Sequence, residues 1–146
     1  MISKIKNRLA SEQGFTLIEL LVVIVILGIL VAIAVPSYLS FRGKASDAAA
    51  KANVRSAIPA AESFYNDPTP AGGGGNGTYN LISGAALRLE APGVDPNVSA
   101  GYNAAKSGYC IQDIASGATW SYQGGAGGAS VIVTGACDAG TYTMAA

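Results

Sequence analysis

The sequence predicts an α+β protein: a long N-terminal helix whose second half packs on a C-terminal antiparallel sheet. Three observations carry this. Residues 15–35 form an apolar run in which Glu19 is the only ionisable side chain. From Ser37 to Asn66 apolar residues recur at three- and four-residue steps, the period of a helix with one buried face. Beyond Asp67 the chain breaks into short, strand-like stretches separated by glycine-containing turns, as in a meander.

Composition narrows the function classes. Half of the 146 residues are hydrophobic and only 12% are charged, which excludes intrinsic disorder. Histidine is absent, so a Ser-His-Asp triad, a histidine base and a histidine-ligated metal are excluded. Nine basic and nine acidic side chains cancel, leaving no basic footprint for nucleic acid. No nucleophile–base pair or metal constellation is visible, and Asp95, Asp113 and Asp138 are too scattered for calcium; the reading is of a protein that is not an enzyme and has no cofactor.

Twenty-one residues rising about 1.5 Å each make a helix of about 31 Å, the thickness of a bilayer core. Sixteen of them are Leu, Ile, Val or Phe, which favour insertion by roughly 5 to 10 kcal/mol in sum, against about 3 kcal/mol or less for Glu19. Lys4, Lys6 and Arg8 precede the run and are opposed only by Glu12, so the N-terminus is expected to stay cytoplasmic and the rest to face outward. A helix-like pattern continues past Ala32, Ala34 and Pro36, unlike the end of a cleaved secretory signal.

Gly14-Phe15-Thr16-Leu17-Ile18-Glu19-Leu20-Leu21, after a short basic leader and before the apolar run, resembles the precursor N-terminus of type IV pilins and type II secretion pseudopilins. The likeness covers residues 1 to about 40 closely and, by helix continuation, extends toward Tyr65. It implies a pilin fold with four parts: a leader at 1–14, a membrane and filament-core helix at 15–36, an amphipathic helix at 37–66 and a β-sheet head at 67–146. It also implies that a membrane prepilin peptidase/methyltransferase cuts after Gly14, where a missing Cβ lets a protease approach the backbone, and methylates the amine of Phe15. Glu19, a carboxylate in an apolar helix and hence a functional-site candidate, is implied to pair with the Phe15 amine of a neighbouring subunit.

The same resemblance implies a homopolymer, an inner-membrane assembly platform as partner, and residence first in the cytoplasmic membrane and then in an extracellular pilus. The function expected is the major subunit of a type IV pilus filament, with adhesion or motility as the filament's uses. A type II secretion pseudopilin and a minor pilin are the rivals within the family, and a bitopic membrane enzyme is the rival outside it. Gly28 and Pro36 weaken the helix between them, and family members often lose helical structure there when subunits pack.

In the second half of the helix Ala50, Val54, Ala57, Ala61 and Phe64 form the expected buried stripe, with Arg42, Lys44, Asp47, Lys51, Arg55 and Glu62 as polar positions. Pro59 is expected to bend the helix or end its regular part. Asp67 to Gly75 reads as a loop, and without a following Gly-Lys-Ser/Thr its glycines are not a phosphate cradle. Ser83 should cap a short helix at 85–90 with Pro92 beyond its end. Strands are expected at Thr78 to Leu81, Tyr109 to Asp113, Thr119 to Gln123 and Ser130 to Thr134, about four in all, with Trp120 and Tyr122 on one face. Asn76 and Asn97 open two sequons that carry no assignment. Cys110 and Cys137 are the only cysteines. An outward compartment favours a bridge over two buried thiols, and in many type IV pilins a disulfide in this place encloses a surface loop.

Overall fold

The computed structural model describes residues 15–69, 75–115 and 118–145. Helix α1 runs from Leu17 to Asn66, α2 from Gly84 to Glu90, and five strands follow: β1 Val98–Asn103, β2 Gly108–Ala115, β3 Ala118–Gly125, β4 Ile132–Thr134 and β5 Tyr142–Ala145. The chain divides into two units at Ser40. The first contains the apolar half of α1, whose large side chains are all exposed. By length and composition α1 is a helix able to cross a membrane. The second unit holds the rest of α1, α2 and the sheet.

In this second unit α1 buries Ala50, Val54, Ala57, Ala60, Ala61 and Phe64. Four alanines in that stripe let the helix lie close to the sheet, and Phe64 supplies the bulk. Across the interface stand Val98 and Ala100 of β1, Tyr109 and Ile111 of β2, with Trp120, Tyr122 and Ile132 packed at the margin. The helix ends where Asn66 turns its amide onto the carbonyl of Glu62, 2.7 Å away, just ahead of Pro68. The chain then returns to the helix end: Asn76 N–H donates to Asp67 O at 2.9 Å and Gly77 N–H to Tyr65 O at 2.8 Å. Gly77 adopts a φ of +78°, which a side chain would oppose.

The sheet is ordered β4-β3-β2-β1-β5 and every pairing is antiparallel. Strands β2, β3 and β4 are the expected meander, with Tyr122 opposite both Ile111 and Ile132. Alternation along β2 sends Tyr109, Ile111 and Asp113 toward α1 and Cys110 and Gln112 to the other face. On that other face Cys110 is bonded to Cys137 and packs with Tyr142 and Met144. A Cβ at Gly124 would collide with the Tyr109 ring, so a glycine there is what lets a tyrosine fill the centre of the core.

Four expectations change. Thr78 to Leu81 is not a strand but a turn: Leu81 has φ +64° and Ile82 N–H bonds back to Tyr79 O at 3.1 Å. The sheet has five strands, with β1 and β5 added. Pro59 does not end the helix; its missing N–H leaves one carbonyl without its usual partner, while buried Ala57, Ala60 and Ala61 around it hold the turn against the sheet. α2 begins at Gly84, one residue before its expected start, and Ser83 caps it as anticipated by accepting from Ala86 N–H at 3.1 Å.

Candidate functional site

Phe15 is 81% exposed and precedes the first turn of α1. Thr16 is the residue before the helix, and its hydroxyl accepts from Glu19 N–H at 3.2 Å. Glu19 reaches back: its Oε2 accepts from Thr16 N–H at 2.9 Å and from the Thr16 hydroxyl at 2.7 Å. The reciprocal pair is a capping box, Thr-x-x-Glu, which satisfies two amides that a helix start leaves open. A carboxylate three residues into a helix also meets the positive end of the helix dipole. The arrangement therefore gives Glu19 partners within its own chain.

Phe15, Ile18, Glu19, Val22 and Val23 line a shallow apolar groove at this end of α1, so the two residues expected to act together share one surface. Gly14 and the leader lie outside the described residues. Gly28 and Pro36 sit inside continuous helix, and a Cβ at Gly28 would meet nothing within 4 Å. That glycine is not required by packing within the chain.

The second half of α1 holds the sheet by polar contacts as well as by its buried stripe. Asp47 accepts from the Trp120 indole N–H at 3.1 Å, and the Lys51 ammonium lies 3.7 Å from the centre of the same ring. Asn53 donates to Asp113 Oδ2 at 2.7 Å. Asp113 is fully buried, and its other oxygen has no partner among the described residues. Glu62 accepts from two phenols, Tyr109 at 2.8 Å and Tyr79 at 3.2 Å. Desolvation, reinforced by the Glu62 carboxylate, pushes both phenols above the ordinary tyrosine range. Their rings belong to a run in which Tyr65, Tyr79, Tyr109 and Tyr122 follow one another at 4.8, 4.6 and 6.0 Å.

The sequence pattern marks Asp47, Lys51 and Glu62 only as polar positions and assigns them no partner on the head. Asp47 and Lys51 stand three residues before Ala50 and Val54 of the buried stripe, which puts them at its border, whereas Glu62 directly follows Ala61 and carries no such spacing signal. Thr16 was legible too, as the first residue of a Thr-x-x-Glu pattern.

On the outer face, Gln112 Oε1 accepts from Cys137 N–H at 2.8 Å, fixing the residue that the disulfide also holds. Asp138 closes the next turn, accepting from Gly140 N–H at 3.0 Å and the Thr141 hydroxyl at 2.7 Å. The Thr141 hydrogen bond, then that of Gly140, holds the Asp138 carboxyl below its usual range. Among the described residues no group of three or more Cys, Asp or Glu side chains is placed to hold a metal.

Residues 9–35 match the family described as the prokaryotic N-terminal methylation motif. Over 102 residues, 69% of this chain and 72% of the relative, the sequence is 31% identical to the type IV wide pilus major component PilA4 of Thermus thermophilus. It is 42% identical over 56 residues to the type IV major pilin protein PilA of Myxococcus xanthus, a match spanning 38% of this chain and 26% of that one. To the type II secretion system core protein G of Pseudomonas aeruginosa it is 48% identical over 55 residues, 38% of each chain. No solved structure gives a significant match.

Proposed function

Because this chain belongs to the type IV pilin and pseudopilin family, we propose that it is the major structural subunit of a type IV pilus. The observation that carries the reading is the first half of α1: a span of large apolar side chains, all exposed, whose one carboxylate is tied into its own helix start. Lipid can cover such a surface in the stored subunit, and the same helices of other copies can cover it in a filament. Two of the relatives are named as major pilus components, which favours the major subunit over a minor one.

In this reading the precursor sits in the cytoplasmic membrane with its basic leader inside and its head outside. The prepilin peptidase removes residues 1–14 after Gly14 and methylates the new amine of Phe15. Glu19 then exchanges its contacts with Thr16 for the Phe15 amine of a neighbouring copy as the helix leaves lipid, replacing a lone carboxylate in an apolar surrounding by a paired one. The inner-membrane assembly platform feeds subunits into the fibre, and stretching at Gly28 to Pro36 gives the fibre its extensibility. The chain's role is assembly, without catalysis.

The test is electron microscopy of purified surface filaments with mass spectrometry of their dominant subunit. Fibres made mainly of this chain, beginning at N-methylated Phe15, are expected. An intact Met1 in filaments, or this chain at trace level in fibres built of another subunit, contradicts the proposal. The similarity to protein G favours one second reading, a type II secretion pseudopilin, which predicts loss of protein secretion and no surface fibre when the gene is removed. Glu19→Ala should insert and be cleaved normally yet yield few filaments; normal yield from the processed variant removes the pairing role.

A further inference from the structure

Charge is distributed unevenly within the second unit. From Phe41 to Ala61 there are four basic residues and one acidic, whereas from Glu62 to the C-terminus there are six acidic and two basic. Lys44, Lys51 and Arg55 are spaced seven and four residues apart, which aligns them along one side of α1. Lys51 shows which side: its ammonium lies over Trp120 of β3. Lys44 and Arg55 are exposed, and among the described residues they make no ion pair.

The acidic residues Glu90 and Asp95 lie on the other flank. Glu90 ends α2 and accepts from Ser63 on α1 at 3.4 Å; α2 packs against β1, and Asp95 is in the turn leading into β1, where its carboxylate accepts from Asn97 N–H. Strand β2 separates β1 from β3. Arg88, the cation beside them, points its guanidinium at the carbonyls of Pro96 and Val98, 3.4 and 3.5 Å away. The head thus has a flank over β3 where Lys44, Lys51 and Arg55 outnumber Asp47, whose carboxylate is engaged by the Trp120 indole, and an acidic flank over β1; among the described residues neither flank makes an ion pair.

We propose that these flanks are the two halves of one interface between copies, the Lys44–Arg55 line of one subunit lying against the Glu90–Asp95 corner of the next. The inference rests on the filament reading and names the contact that orders the heads. A two-fold contact through either flank alone would set like charge against like, whereas a basic flank on an acidic flank is heterologous and propagates from copy to copy, as an open fibre requires. A lipid headgroup is the rival partner for the cations. However, the line from Lys44 to Arg55 rises about 16 Å along the helix, more than twice the roughly 5 to 8 Å depth of a headgroup layer. Exposed Ala48 and Ala52 lie beside the line on the side away from Trp120, so from that side a neighbour approaches over small side chains.

Two measurements on the full chain test the contact. Lys44→Cys and Glu90→Cys chains are produced together in one membrane and treated with a short bis-maleimide. A cross-linked dimer is expected when both are present, and its absence, or equal dimer from either variant alone, overturns the proposal. The linker needs only neighbouring copies, so this arm is decided even if the wild-type chain forms no fibres and the major-subunit reading fails. Where the wild type does form fibres, Lys44→Glu/Arg55→Glu should lower filament yield at least about tenfold, since like charges now face each other. Adding Glu90→Lys/Asp95→Lys to the same chain should restore it. Intact Cys110–Cys137 bonding reports folding, and Lys44→Arg/Arg55→Lys should assemble normally. Undiminished yield on reversal, or loss that the second pair of changes does not restore, overturns the proposal, the latter pointing to the membrane as the partner of the cations.

Discussion

The two halves of α1 are one helix built to opposite specifications. Before Ser40 the side chains are large, apolar and exposed, and the one charged residue bonds to its own helix start. After Phe41 the buried side chains are mostly alanine, and the charged ones near them reach across to the rest of the head: Asp47 to Trp120 and Glu62 to Tyr109 in the sheet, and Glu62 also to Tyr79 in the turn before α2. One half carries surface that the chain itself leaves uncovered, and the other is consumed in holding a head together. Hydrophobicity alone therefore does not mark the core here; small residues with a few well-placed polar ones do.

The largest test of this contrast exchanges one apolar residue in each half. Phe64→Ala removes a fully buried ring and should destabilise the head by about 3 to 5 kcal/mol, seen as an early near-ultraviolet melt of the full chain in micelles. Ile26→Ala, at a position 51% exposed, should leave that melt unchanged and weaken membrane insertion by less than about 1 kcal/mol. Equal losses from the two changes would erase the distinction.

Next in size is the covalent tie. Cys110 and Cys137 are 27 residues apart, and in the chain-entropy account closing that loop stabilises by roughly 3.6 kcal/mol. Reduction should lower the melting temperature of the head while leaving helicity of the apolar half intact, as read by residue-resolved amide exchange. An unchanged melt on reduction would show that packing alone holds the sheet.

The phenols give a smaller effect with a definite sign. Tyr79 and Tyr109 hold their protons more tightly when folded, first through desolvation and then through Glu62. Unfolded tyrosines lose theirs near pH 10. Their contribution is complete below about pH 10 and is lost progressively as pH rises beyond it, because the unfolded chain then binds fewer protons than the folded one. Tyr109→Phe should flatten that alkaline slope and cost about 1.5 kcal/mol at neutral pH, the low end for a hydrogen bond to a charged group since Glu62 is exposed. Alkaline titration of the melting temperature checks both.

Smallest in its reach is the cap. Thr16→Ala should cost about 1 kcal/mol, a typical helix-cap value, confined to the first turn: faster amide exchange at residues 17–20 and no shift in the head's melt. A shift in that melt would mean that the two halves of α1 are energetically coupled.

Most of this contrast could be read from the chain. The apolar run, the Ala50 to Phe64 stripe and the β2–β4 meander all follow from side-chain period, because period reports which face is covered. Strands β1 and β5 escaped for a physical reason. Val98-Ser-Ala-Gly-Tyr-Asn has small residues at its middle because Ala100 lies under the helix and a Cβ at Gly101 would collide with Met144 and Thr143 of β5, so the strand's composition reflects close neighbours rather than strand propensity. Thr78 to Leu81 has the opposite defect: its residues suit a strand, but Tyr79 N–H is taken by Lys106 O at 2.8 Å. At the N-terminal site, Glu19 stands out by its charge, whereas Thr16 becomes informative only when the pair is read at its spacing of three.

The double hold on Cys137, by a sulfur bond and by the Gln112 side chain, has a consequence for what the subunit could carry. It anchors the chain downstream of β4, while the turn between β3 and β4 is tied down at its two ends, by Ala126 N–H on Ser107 O at 2.8 Å and Ser130 N–H on Gln123 O at 2.9 Å. Around Gly127 that turn is exposed, and a Cβ there would meet nothing within 4 Å. A foreign peptide spliced after Gly127 would be tethered at one end by β3 and at the other by β4, with Cys137 secured beyond it. In the filament proposed above, that turn would recur in every copy and would make the subunit a scaffold for dense display.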